Sequence, residues 1–577
     1  MALGNSEADW VSRFADEVIA ESERRAPGRA VVVASGLSPS GPVHLGNLRE
    51  VMTPHLVADE IRRRGVACEH LLSWDDYDRF RKVPAGIDPA WAEHIGKPLT
   101  SVPAPPGSSY PNWAEHFKAP MVEALDRLGV EYRAVSQTEQ YRSGAYRKQI
   151  LLAMRERGRI YAVLDGFRTK DRSASAAGER RPGAAGPVCG EGEQEAAAGS
   201  GAAAEEDGTT AAGYFPYKPY CSVCERDLTT VTGYDDATTT LDYGCACGHR
   251  ETVRLAEHDR GKLVWKVDWP MRWAYEGVVF EPSGVDHQSP GSSFVVGGSL
   301  VQEIFGGRQP IGPMYAFVGI SGMAKMSSSK GGVPTAADAL RIMEEPLLRW
   351  LYARRKPQQS FTVAFDQEIQ RLYDEWDALE RKVQDGTAGV ADRFAHDRAV
   401  RTAGRELPRT GRPLPYRMLA SVADITAGDP AQTLRILGEA DPECPVASLD
   451  ELRPRLDRAQ YWIEHHVPEE QRTRLRTEPD RDLLAGLDAA ERESLKLLLD
   501  GLDEHWSLEA LSHWVYAVPK LRAGLPADAK ATPELKVVQR AFFALVYRLL
   551  VGGGTGPRLP TLLLATGADR VRTLLGG

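Results

Sequence analysis

Two separated stretches of this sequence carry residue types able to handle a phosphate. KMSSSKG, residues 325–331, sets two lysines around three serines beside a glycine, straight after the apolar run YAFVGI. Such a segment has nothing to bury, so it reads as a loop. Two ammonium groups on a small, flexible loop can bring positive charge to phosphate oxygens and withdraw again, and that motion requires poor packing. The second stretch is SGLSPSGPVHLGN, in which His44 stands just before a helical run. An imidazole at a helix N-terminus can donate a hydrogen bond to an anion, and the helix dipole adds to the attraction. Gly46 lets a ligand approach the backbone, and Asn47 keeps a donor without a titrating group. Either stretch alone also suits an ordinary solvent loop; their order and surroundings give the pair its meaning.

Metal chemistry is the other possibility. Cys221, Cys224, Cys245 and Cys247 form C-x2-C, twenty intervening residues, then C-x-C. Two closely spaced thiol pairs can close a tetrahedral site, for which zinc is the usual occupant. His249 is an alternative to Cys247 as the fourth ligand. Four protein ligands leave no open position, so the expected role is structural. Seven cysteines in 577 residues make no disulfide scaffold, and Cys189 is expected to be a thiol without a role.

The elements needed to position these residues are legible. RAVVVASG, near residue 29, reads as a short buried parallel strand. After it Leu45, Leu48, Val51, Met52, Leu56, Val57 and Ile61 recur at helical spacing. Strand, glycine loop and helix open a nucleotide-binding α/β unit. CEHLLSWDD is a second strand, with acids at its carboxyl end, where ligands of open parallel sheets gather. From 172 to 213 the composition collapses: 22 of 42 residues are Ala or Gly, with no aromatic residue, Leu or Ile. That segment cannot offset its ordering entropy and is expected to be disordered. Aromatics and β-branched residues return around the cysteines as a small β-rich knuckle. The α/β pattern resumes at KLVWKVDWPMRWAYEGVVFEPSGVDH, and beyond about residue 340 long amphipathic helices dominate.

The expected architecture is a Rossmann-type doubly wound parallel sheet split by a zinc-bearing insertion and followed by an all-helical C-terminal domain. The expected segments are 1–170 and 261–335 for the catalytic halves, 171–213 for the insertion, 214–260 for the knuckle, 336–400 for a helical region, and 401–577 for the helical domain. The net charge of −9 argues against indiscriminate polyanion binding but leaves room for a local basic face. No apolar run approaches the roughly 18 residues of a membrane span. The N-terminus lacks the look of a secretory signal, so a cytoplasmic protein is expected.

With VHLGN first and KMSSSKG later, the chain resembles the class I aminoacyl-tRNA synthetases. SPSGPVHLGNLRE, DDYDRFRKVP, VDWPMRW and GVDHQSPG together look like the class I form of lysyl-tRNA synthetase. That resemblance implies an ATP-dependent ligase that activates L-lysine and passes it to tRNA(Lys), with Mg2+ beside ATP and a monomeric chain. His44, Asn47, Lys325 and Lys330 would act on the phosphates. ATP would also meet Pro39, Gly46, Gly284, Asp286, Met326, Ser327, Ser328 and Ser329. Lysine would be held by Gly36, Ser38, Trp265, His287 and Tyr315, with Asp75 or Asp76 as counter-charge. The helical C-terminus resembles the anticodon-binding cage of the class I lysyl and bacterial glutamyl enzymes.

RWLYARRKP interleaves Arg349, Arg354, Arg355 and Lys356 with Trp350 and Tyr352. The pattern suits phosphate contact on a tRNA stem, and equally a helix packing its aromatics inward. A glutamate-specific synthetase would need cationic pocket residues, whereas the segments lining the crevice are acidic and aromatic. A small adenylyltransferase such as pantothenate synthetase would have neither the knuckle nor the long helical half, and a non-catalytic paralogue would not need the loop lysines.

Overall fold

A computed structural model describes residues 9–178, 210–321, 332–440 and 444–576. KMSSSKG, and with it Lys325, Met326, Ser327, Ser328, Ser329 and Lys330, lies outside the described residues, as does Cys189.

Three parallel strands start the sheet: β1 (Val31–Leu37), β2 (Cys68–Trp74) and β3 (Arg133–Ser136), in that order. Val31 pairs with Cys68 and Leu37 with Trp74; Leu71 pairs with Arg133. The later chain joins the opposite side of β1. Val279 N–H donates to the Val32 carbonyl at 2.8 Å and Ala34 N–H to the Phe280 carbonyl at 2.8 Å. The segment around Ile311 adds beyond Phe280, again in parallel. The strands thus run β3, β2, β1, Phe280, Ile311 across the sheet. The direction of winding reverses at β1, which opens a crevice outside the strands' carboxyl ends.

Packing explains the spacing read in the sequence. In helix Leu48–Arg63, Leu48, Val51, Met52, Leu56, Val57 and Ile61 are all buried, as is Leu45 ahead of it. In helix Trp265–Glu276 the tryptophans at 265, 269 and 273 share one face, and Trp265 and Trp269 stack at 5.2 Å. Trp273 lies so close to helix Ser293–Glu303 that a Cβ on Gly297 would come within 2.8 Å of its ring. Only glycine fits there.

The Ala/Gly stretch departs in part from its expected disorder. Helix Arg157–Gly178 continues past residue 171, and Ala211–Gly213 form a 3-10 turn. Alanine has the highest helix propensity, so a helix already nucleated on buried Ile160 and Leu164 can propagate into it. Residues 179–209 lie outside the described residues. In the knuckle, Thr229–Asp235, Thr240–Cys245 and Arg250–Arg254 form an antiparallel meander. Tyr217–Pro219 pairs with Gly261–Leu263 and closes its base.

The described residues divide into two compact units, and the division does not follow the expected boundaries at 336 and 400. One unit runs to Ala339 and includes Leu348–Val363 and Ala388–Leu407; the other comprises Leu340–Leu347, Ala364–Thr387 and the described chain from Pro408 on. Long-range pairing accounts for this. Arg398, almost fully buried, donates to Asp9 at 2.7 Å and Glu60 at 2.9 Å, so helix Val390–Val400 belongs with the sheet. The second unit has no strand among its described residues. Its core holds Arg455, which donates to Glu344 at 2.7 Å and Asp377 at 2.8 Å, beside Tyr373 stacked on Tyr416 at 4.1 Å.

Of the two meanings left open for RWLYARRKP, the structure takes the inward one. Arg349 is fully buried and donates to the carbonyls of Leu128 and Arg398, while Trp350 and Tyr352 are buried. Arg354 lies 3.8 Å over the Trp350 ring. Only Lys356 is exposed. No helix among the described residues is long and apolar enough to cross a membrane.

Candidate active site

The crevice at the reversal point contains a cavity. Its floor comes from the ends of β1 and β2, through Gly36, Ser73 and Asp75; its wall is the tryptophan face of helix Trp265–Glu276; its rim includes Ser283, His287 and Tyr315. Five of the residues expected to hold an amino acid therefore meet here: Gly36, Asp75, Trp265, His287 and Tyr315. Ser38 lies just past β1, off the wall. Asp76 is buried elsewhere, accepting from Lys118 Nζ at 2.7 Å, Ser136 Oγ at 2.8 Å and Thr138 N–H at 2.8 Å. All its close donors are structural, which leaves it no charge to offer a ligand. Asp75 reaches the cavity, but its Oδ1 already accepts from Arg272 at 2.6 Å.

Arg272 is the hub of a buried network. It also donates to Asp268, and Asp268 accepts from Tyr141 Oη at 2.6 Å. Lys262, from the knuckle's closing strand, stands 3.7 Å from Asp268 and donates to Asp78. The arginine lining the cavity is thus neutralised by two carboxylates and covered by the Trp265 ring at 5.6 Å.

Two other acids lack such a partner. Glu50, in the first turn of helix Leu48–Arg63, accepts from Tyr315 Oη at 3.2 Å. Glu281 accepts from the indole N–H of Trp269 at 3.0 Å and of Trp273 at 2.6 Å. Neither carboxyl has an ion-pair partner among the described residues. Burial pushes Glu50 up to about 8, with Glu281 adding to the shift. Burial likewise raises Glu281 to about 7, although the two indoles oppose it. The wall also holds a spare donor, the buried indole N–H of Trp265, which has no hydrogen-bond partner. His287 meets the Trp269 ring edge-on at 5.5 Å, and burial lowers its pKa. The cavity therefore sets two buried acids among aromatic rings.

Sequence reasoning missed Glu50, Glu281, Arg272, Trp269 and Trp273. One signal was present: in VVFEPSG an acid interrupts a buried apolar run, and a buried acid needs partners.

The phosphate-handling residues lie at the adjoining end of β1. His44 precedes a 3-10 turn, Leu45–Asn47, that leads straight into helix Leu48–Arg63. Its Nδ1 is buried without a partner, and burial lowers its pKa. The chain just after KMSSSKG returns beside it: His44 pairs with Thr335, and Leu45 N–H donates to the Pro334 carbonyl at 2.9 Å. Pro39 is buried, Gly46 and Asn47 are partly buried, and Asp286 is exposed in a 3-10 turn, Val285–His287. Gly284 packs under the Tyr315 ring, 3.5 Å from where a Cβ would sit, an ordinary contact distance that a side chain would tolerate.

The residues from 8 to 403 match the family described as tRNA synthetases class I (K). The chain belongs to this family. A lysine–tRNA ligase of Streptomyces coelicolor (strain ATCC BAA-471 / A3(2) / M145) is 70% identical, over 100% of this chain and 99% of its own. Another from Thermococcus kodakarensis (strain ATCC BAA-918 / JCM 12380 / KOD1) is 30% identical over 97% of this chain and 98% of its own. One from Treponema pallidum (strain Nichols) is 30% identical over 100% and 99%. The mixed α/β half with its crevice and the helical half are thus parts of a class I synthetase.

In the knuckle, the sulfurs of Cys221, Cys224, Cys245 and Cys247 all lie within 4.8 Å of one another. Cys221 and Cys247 are 3.8 Å apart, Cys224 and Cys245 3.6 Å. Tetrahedral zinc with bonds near 2.3 Å sets sulfurs about 3.8 Å apart, so the donor set fits that ion. His249 is turned away, 3.1 Å from Ser222 Oγ and 3.4 Å from Glu251. Of the two candidates for the fourth ligand, only Cys247 stands in the cluster.

Proposed function

We propose that this protein activates L-lysine with ATP and esterifies the adenylate's lysyl group to tRNA(Lys), and that the cavity beside β1 is the lysine pocket. The observation that carries the assignment is the pair of cation-free carboxyls, Glu50 and Glu281, in an aromatic-walled cavity. An ammonium seeks oxygen acceptors and ring faces, and its aliphatic stem seeks apolar surface. A glutamate side chain would instead bring a third carboxylate to two that already resist ionisation, a cost of several kcal/mol.

In this reading Glu50, with Tyr315 orienting it, accepts the ε-ammonium. Trp265 and Trp269 flank the stem, His287 closes the rim, and Gly36 leaves room over β1. The unpartnered Trp265 N–H is available to the substrate's own carboxylate. Asp75 serves by holding Arg272 in place, so the counter-charge passes from Asp75 and Asp76 to Glu50. Just past the same carboxyl end of β1, His44 donates to the α-phosphate with Asn47 beside it, and Pro39 and Gly46 shape the turn under the nucleotide. Asp286 accepts from the ribose, beside Gly284. Lys325 and Lys330, with Met326, Ser327, Ser328 and Ser329, bring charge to the departing pyrophosphate, where stabilisation acts on the transition state. The return of Pro334 and Thr335 to the His44 turn supports that role.

Magnesium accompanies ATP through the phosphate oxygens. Among the described residues the cysteine set is the sole group of three or more such side chains placed to hold a metal. Zinc, held by the four cysteines, fixes the knuckle. The helical unit is assigned to the tRNA anticodon, the chain to a monomer, and the protein to the cytoplasm. The deciding experiment is amino-acid-dependent pyrophosphate exchange with each of the twenty amino acids, with and without tRNA. Lysine alone should support exchange without tRNA; exchange driven by glutamate would overturn the assignment.

A further inference from the structure

Glu50 and Glu281 come from distant parts of the chain and line one cavity, each with neutral donors only. Glu281 differs from Glu50 in its fixity. Both its oxygens are taken by indoles one helical turn apart, so it cannot swing away to solvent or to a cation. The surrounding charges relieve the pair little: Arg272 draws Glu281 down from a distance but makes no ion pair with it among the described residues. Arg272 is occupied by Asp75 and Asp268, Glu276 is bound to Arg133 at 2.8 Å, and His287 is held toward its neutral form. Asp75 adds a further negative charge nearby, and Arg49, next to Glu50 in sequence, spends its guanidinium on the carbonyls of Lys356 and Gln359 at 2.8 Å.

Two carboxylates cannot both ionise cheaply in one low-dielectric cavity without a cation. We propose that Glu50 and Glu281 act as one unit that gives up a proton in exchange for the substrate's ammonium, and that Glu281 thereby sets specificity for a cationic side chain. The balance is simple. The empty pair holds one carboxyl proton, on one acid or the other, and one negative charge. When lysine enters with its ε-ammonium intact, the O–H proton leaves to solvent and the pair becomes doubly negative around one positive charge. The local charge is the same before and after, and no other bond is made or broken. A neutral side chain cannot drive this exchange, so it meets a protonated, unrewarding site. The inference rests on the cavity being the lysine pocket and names what its second acid does. The raised pKa values of both groups agree with it: the empty pair keeps a proton near neutrality.

The test is calorimetric titration of the full-length protein with L-lysine, and separately with norleucine, in buffers of different ionisation enthalpy from pH 6.5 to 8.5. Lysine binding should release close to one proton near pH 7 and less as pH rises, while its affinity climbs through the same window. Norleucine should bind weakly and release none. In Glu281→Gln the proton count near pH 7 should fall by at least half, and the preference for lysine over norleucine by tenfold or more. A merely structural Glu281, one that only holds the indoles, would weaken both ligands alike and leave the proton count unchanged. Lysine binding to the wild type with no proton exchanged at any of these pH values overturns the proposal without needing a variant. Failure of lysine to bind, with another amino acid supporting pyrophosphate exchange, would instead remove the lysine assignment beneath it.

Discussion

Replacing Glu50 with Gln keeps the size of the side chain and its hydrogen bond from Tyr315 but removes one negative charge from the cavity. A unit charge about 4 Å from an ammonium contributes about 4 kcal/mol at an effective dielectric near 20. Breaking a buried ion pair typically costs about 3–5 kcal/mol. Glu281 remains and recovers part of this, so a loss of about 2–4 kcal/mol is expected, or roughly 30- to 1000-fold in lysine affinity. The ammonium lies at the far end of the substrate from the reacting carboxylate. KM for lysine should therefore rise by that factor, with kcat within several-fold of wild type. Lysine-dependent pyrophosphate exchange at saturating ATP measures both. The same substitution has an opposite effect on the empty protein. Because the folded-state pKa of Glu50 is raised to about 8 from an ordinary 4.5, the folded chain binds more protons than the unfolded one between those values. Its contribution to stability is present at low pH and is lost as pH rises toward 8. Ligand-free Glu50→Gln should thus melt above wild type at pH 8.5 and level with it near pH 4.5. A lysine KM within threefold of wild type would refute the reasoning, whatever the melting curves showed.

Lys325→Ala and Lys330→Ala should each slow adenylate formation by about 100- to 1000-fold in stopped-flow assays while leaving lysine affinity unchanged, the signature of charge that acts on the transition state. Freshly purified protein should contain one zinc per chain by elemental analysis, and Cys221→Ser should lower the melting temperature before it affects activation, since metal binding drives the folding of so small a module. Glu344→Gln leaves the buried Arg455 guanidinium with Asp377 as its remaining carboxylate, and should cost about 1.5–3 kcal/mol of the helical unit's stability. Denaturant unfolding followed by circular dichroism checks this; an unchanged curve would mean that Asp377 alone suffices.

Much of the chain was readable in advance because its signals are local. A β-branched run before a glycine turn makes β1, helical spacing makes Leu48–Arg63, and two cysteine pairs on opposite turns make a four-sulfur cage. Gly36, Asp75, Trp265, His287 and Tyr315 met in one cavity, because the resemblance placed them one by one at the carboxyl edge of the sheet, whereas Ser38 and Asp76 did not join them. Local signals carry no information about what stands opposite. Arg349 and Arg354 look like phosphate contacts until the fold buries one under backbone carbonyls and lays the other on Trp350. Asp75, Asp76, Glu50 and Glu281 are equivalent as letters. Tertiary structure gave Asp76 to Lys118 and Asp75 to Arg272, and left Glu50 and Glu281 lining one cavity with no ion-pair partner among the described residues. An acid's chemistry depends on its desolvation and on the charges within a few ångströms, and both are set by whichever residues the fold brings beside it, as Tyr315 is brought to Glu50 from 265 positions away.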